Sequence, residues 1–122
     1  MKTALFSLVL VLAMTTVLQS QDQTTRGPDC SGRWPTIMSL VHLKNAGLID
    51  ASQIEASKTT TVRLASEKTG KNLWRQVYYV TFVLKSGEAV QTIAVHDASL
   101  DECSMAGVEV FVVSHHLNVE RR

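Results

Sequence analysis

Several things are scarce in this chain of 122 residues. No apolar run reaches the about 20 residues a membrane-spanning helix needs. No G-x-S-x-G or H-E-x-x-H is present, so the common hydrolase signatures are missing. "EKTGKN" at 67–72 holds a Gly-Lys pair but lacks the upstream glycine and the following Ser or Thr of a phosphate-binding loop. There is no internal repeat and no low-complexity segment. Charge of one sign is not in excess, since 12 basic residues meet 11 acidic ones. Bulk electrostatics therefore give no reason to expect nucleic acid as a partner. Cysteine is limited to Cys30 and Cys103.

The N-terminus has the layout of a secretory signal peptide over residues 1–20. Lys2 supplies a positive start, and residues 4–14 an apolar stretch too short to span a bilayer. Cleavage after Ser20 removes Lys2, so the mature chain has 11 basic and 11 acidic residues. Export, to the periplasm or outside the cell, is the expected localisation. No transmembrane span remains in the mature chain. Two cysteines in an oxidising compartment usually pair. A Cys30–Cys103 bridge closing so long a loop is worth about 4 kcal/mol in unfolded-chain entropy.

Residues 21–33, "QDQTTRGPDCSGR", are polar and aperiodic and read as a flexible segment that becomes ordered near Cys30. A single α+β domain is expected over 34–118, with a short tail at 119–122. "WPTIMSLVHLKNAG" at 34–47 reads as a helix. Pro35 suits its first turn, Ile37, Leu40, Val41 and Leu43 form an apolar stripe, and Gly47 stops it. From residue 59 the pattern turns to strands. "TTTVRLASE" places Val62 and Leu64 on one side. "LWRQVYYVTFVLK" at 73–85 carries Trp74, Gln76, Tyr78, Val80, Phe82 and Leu84 on its even, inward side. "AVQTIAV" at 89–95 and "VEVFVVSHHL" at 108–117 complete four strands joined by short connections.

The fold class is thus α+β: one N-terminal helix packed on a four-stranded antiparallel β-meander, with one disulfide. This order of elements is similar to that of the cystatin-like rolls. "QVYYV" at 76–80 lacks the glycine of the cystatin protease-binding hairpin, so the likeness of layout carries no inhibitory function with it.

Candidate functional residues are spread along the chain. Residues 58–85 carry a net +5 and residues 86–120 a net −6. Such a bipolar surface could steer a charged protein partner. Lys68, Lys71 and Trp74 on the hairpin, and Asp97, Asp101 and Glu102 in the loop "HDASLDECSMAG", are the binding candidates. No metal or other cofactor is expected, because the four histidines lack the spacing of a metal site and His115 and His116 point to opposite faces of a strand. The expected function is a non-catalytic, exported protein-binding module of the inhibitor or immunity type, whose partner is another exported or envelope protein. Two alternatives remain open. One is a small-ligand carrier with a helix–sheet pocket lined by Leu40, Val80 and Phe82. The other is a small hydrolase using His96 or His115, with Ser104 as a conceivable nucleophile.

Overall fold

A computed structural model describes residues 25–113. Helix α1 spans Trp34–Asn45, followed by two 3₁₀ turns at Ala51–Gln53 and Ala56–Lys58. Four strands follow: β1 Thr60–Gly70, β2 Leu73–Val83, β3 Ala89–Ala98 and β4 Glu109–Val113. They form one antiparallel sheet in the order β1-β2-β3-β4, with α1 on one face. The fold expected from the sequence is therefore the one observed, including the Cys30–Cys103 disulfide.

Local chemistry accounts for the ends of these elements. Pro35 fills the first turn of α1, where its missing N–H is not needed. At the other end Leu48 N–H donates to Leu43 O and Gly47 N–H to Lys44 O, each at 3.0 Å. Gly47 sits at φ +69°, the left-handed conformation that this helix stop requires. The β1–β2 turn is tight. Gly70 pairs with Leu73, leaving Lys71 and Asn72 as the turn, with Asn72 at φ +51°.

The inward face of α1 differs from the expected stripe. Pro35, Ser39 and Leu43 are buried, whereas Ile37 and Val41 are 53 % and 37 % exposed. The helix lies mainly over β3. There the inward residues Thr92, Ala94 and Ala98 are small and fully buried, and Ser39, also small, faces inward. A second difference concerns β1. Val62 and Leu64 are 55 % and 56 % exposed, and they are not on the core side. Thr61 pairs with Val80 and Arg63 with Tyr78, so these polar residues take the inward positions. A bulge at Leu64 then resets the alternation, placing Ser66 opposite Gln76.

The core has two clusters. Leu43, Ile49, Val80 and Phe82 fill one end. Cys30, Tyr78, Ala94, Ala98 and Val108 fill the other, with Trp34, Met38, Cys103 and Val110 against them.

Residues 25–33 of the segment read as flexible from the sequence make specific contacts with the sheet. They form a strap across the core face of the sheet, fastened through its backbone. Gln76 Nε2 and Arg63 Nη1 both donate to Pro28 O at 2.8 Å, and Ser66 Oγ donates to Arg26 O. Trp74 Nε1 donates to Thr25 O at 3.4 Å. Cys30 N–H donates to the Tyr78 hydroxyl at 2.9 Å, which in turn donates to Gln76 Oε1 at 2.8 Å. These side chains of β1 and β2 serve as the strap's binding groups.

Candidate functional site: the open face of the sheet

The six binding candidates lie at one end of the sheet. Asn72 links the β1–β2 turn to the loop after β3: its Oδ1 accepts from Leu100 N–H at 2.9 Å and its Nδ2 donates to Asp101 Oδ2 at 3.1 Å. A shallow cleft of about 230 Å³ is lined there by Lys68, Asn72, Trp74, Leu100 and Asp101. Lys68, Lys71, Asp101 and Glu102 are exposed. Glu102 accepts from Ser104 Oγ at 2.6 Å. Trp74 departs from the surface role considered for it. It is 1 % exposed and lies under the strap, with Lys68 Nζ 5.4 Å from its ring. Its indole supports the strap rather than offering an anchor to a partner.

The hydrolase arrangement is not assembled among the described residues. His96 is 2 % exposed, and its Nδ1 lies 2.9 Å from Cys103 O. A carbonyl can only accept, so Nδ1 carries the proton. Burial pushes the imidazole below its ordinary value, and Nε2 has no hydrogen-bond partner among the described residues. Ser104 Oγ is turned to Glu102 instead of to His96. His115 lies outside the described residues. No group of three His, Cys, Asp or Glu side chains able to hold a metal is found among the described residues.

The ligand-carrier reading has a partial counterpart. A cleft of about 510 Å³ runs between α1 and β1, lined by Ile37, Leu40, Ile54, Phe82 and the Thr36 and Thr61 side chains among others. Val80, expected in its lining, is fully buried in the core.

The surface that sequence reasoning missed is the face of the sheet turned away from α1. Strand register builds it in rows across the sheet. Val62, Tyr79, Ile93 and Phe111 pair consecutively and form one row that is apolar or aromatic in every strand. The next row is Ala65, Val77, Val95 and Glu109. The row beyond it is Glu67, Arg75 and Asp97, with Arg75 Nη1 3.7 Å from Asp97 Oδ1. On the other side Thr60, Thr81, Gln91 and Val113 close the patch. Val62 and Phe111 are each 55 % exposed. The described helix covers only the opposite face. Of the six candidates, Asp97 alone belongs to this surface. A signal for it was present: Leu73, Val77, Tyr79 and Val83 make the odd side of β2 nearly as apolar as its even side.

No helix of the described residues is long and apolar enough to cross a membrane. Comparisons with family models, curated proteins and solved structures returned no match for this chain.

Proposed function

We propose that this chain is a small exported, non-catalytic protein-binding module that docks through the open face of its sheet. The observation that supports this reading is the Val62–Tyr79–Ile93–Phe111 row, apolar or aromatic in every strand, with Val62 and Phe111 exposed at its ends and Tyr79 and Ile93 half-buried between them among the described residues. Contiguous exposed apolar patches rimmed by polar residues mark interaction surfaces in soluble proteins. Here Glu67, Arg75, Asp97 and Glu109 rim one side and Thr60, Thr81 and Gln91 the other. Export is supported by the signal-like N-terminus and by the disulfide.

The test is crosslinking of the tagged protein in its native exported fraction, with captured chains identified by mass spectrometry. Capture of a protein chain that is lost with Phe111→Asp or Val62→Asp, at unchanged melting temperature, is expected. Capture indifferent to both substitutions, or no protein captured, overturns the reading.

The cleft between α1 and β1 favours a second reading, a carrier of a small apolar ligand. Native mass spectrometry of the exported protein checks it: an added mass that disappears in Leu40→Glu supports it, and a bare chain mass removes it.

A further inference from the structure

The distribution of side chains on the open face points to its occupant. Resting on the protein-binding reading above, we propose that the partner is a second copy of this chain, packed sheet to sheet about a two-fold axis that runs parallel to the strands between β2 and β3.

A two-fold interface places the same patch on both sides, so the patch must complement itself. An axis along the strands sets β2 over the second copy's β3 and β1 over its β4. Each row then faces itself in reverse. In the polar row, Arg75 on β2 meets the second copy's Asp97 on β3, and the reciprocal contact forms by symmetry. Arg75 and Asp97 side chains are 51 % and 28 % exposed, so both are accessible for it. In the apolar row, Tyr79 meets Ile93 and Val62 meets Phe111. In the row between them Val77 meets Val95. Charge complementarity between copies rests on the Arg75–Asp97 contact, because Arg63 and Lys68 of the β1–β2 hairpin meet the strap and Trp74 on the other face of the sheet. An axis perpendicular to the strands lacks this property, because it lays the Arg75–Asp97 row over the uncharged Thr81–Gln91 row.

The dimensions are sufficient. With strands about 4.8 Å apart and a rise of about 3.4 Å per residue, four rows across four strands give roughly 500 Å² per copy. Two copies bury about 1,000 Å², the lower range for a specific interface. Sheets stacked about 10 Å apart and within about 30° of parallel pack in this way in β-sandwiches. An interface of this size falls among the weak, transient contacts rather than the obligate dimers, and association at about 1–100 µM is the expectation put to the test.

Sedimentation equilibrium, on protein expressed from its full coding sequence with the disulfide intact, tests the proposal. The expected result is a monomer–dimer equilibrium in that concentration range, weakened about tenfold or more by Phe111→Asp or Val62→Asp. Two charge variants test the axis. Arg75→Glu alone and Asp97→Arg alone each set like charges across the interface, so each is expected to be monomeric. Mixed together, the Arg75→Glu and Asp97→Arg chains satisfy both contacts and are expected to form a mixed dimer. Circular dichroism confirms that each variant folds. If a charge variant does not fold, the exposed Val62 and Phe111 substitutions decide. A dimer that survives Phe111→Asp and Val62→Asp overturns the proposal, as does a wild-type chain that stays monomeric at about 100 µM and above. A mixture that remains monomeric overturns the axis. A monomer that still captures a different exported protein through Phe111 leaves the protein-binding reading standing and removes only the second copy. A monomer that captures nothing removes both.

Discussion

Gly27 has no room for a methyl group. A Cβ built there would lie 2.7 Å from Trp74 Cγ, and the residue sits at φ +70°. Gly27→Ala therefore combines a steric clash with backbone strain, and a loss of about 1–3 kcal/mol is expected in thermal or urea unfolding. An unchanged melting temperature would mean that the strap lifts away without consequence. His96 makes a second residue-scale prediction. Its folded-state pKa is lowered from the ordinary 6.5 because burial disfavours the cation. Below 6.5 the unfolded chain takes up a proton that the folded chain resists, so stability falls as pH drops through that window. His96→Asn, which keeps a donor near Cys103 O, is expected to flatten the fall in melting temperature between neutral and mildly acid pH. A profile identical to wild type would show that another group sets the slope. Asp29 and Asp50, both lowered by Ser31 and Ser52 hydrogen bonds respectively, lose their contribution only in a more acid window, as pH falls below 3.8 and through their depressed values. Trp74 shows what a sequence hides at this scale. A tryptophan beside Arg75 resembles an interface anchor, and only the position of Thr25 and Gly27 above it reveals a core residue.

Strands and turns were legible where alternation and turn residues agreed. The even side of β2 faces the core as expected, and Gly47 ends the helix. The facing of α1 and β1 was not legible, for one physical reason. Alternation identifies a buried side only when the other side is polar. In β1 the apolar Val62 and Leu64 belong to the open face, while Thr61, Arg63 and Ser66 turn inward. Two of these inward side chains, Arg63 and Ser66, spend their polarity on the strap carbonyls, and Thr36 and Thr61 hydroxyls meet at 2.8 Å. In α1 the small residues of β3 let Ser39 take the buried position and leave Ile37 outside. The two helix positions therefore separate experimentally. Leu43→Ala, at a site 1 % exposed, is expected to cost about 2–5 kcal/mol. Ile37→Ser, at a site 53 % exposed, is expected to stay within about 0.5 kcal/mol. Equal losses in denaturant titrations would restore the stripe read from helical spacing.

At the scale of the molecule, one covalent tie joins the two ends of the described chain. Cys30 and Cys103 are 73 residues apart in sequence and 5.8 Å apart at Cα. Trp34 Nε1 reinforces the tie by donating to Ala106 O at 3.3 Å. The acidic loop after β3, puzzling in the sequence for its load of charge and cysteine, is thereby held against the start of α1. The bridge closes most of the folded chain, so its removal frees a large denatured-state loop and costs about 4 kcal/mol. For a domain of this size that corresponds to roughly 15–30 °C in melting temperature. Substituting both cysteines by alanine, which avoids an unpaired thiol, tests this magnitude. Hydrogen exchange tests its location. Besides the tie, the strap is held by side-chain hydrogen bonds from β1 and β2, and the loop at 99–108 by those of Trp34, Asn72 and His96. The central strands β2 and β3 are paired along their length. Loss of protection concentrated in the strap, the loop and the first turn of α1 is expected, with β2 and β3 protected to the remaining global stability. Uniform loss across all peptides would mean that strap and sheet open as one unit, and that the disulfide acts on the whole fold rather than on the end it joins.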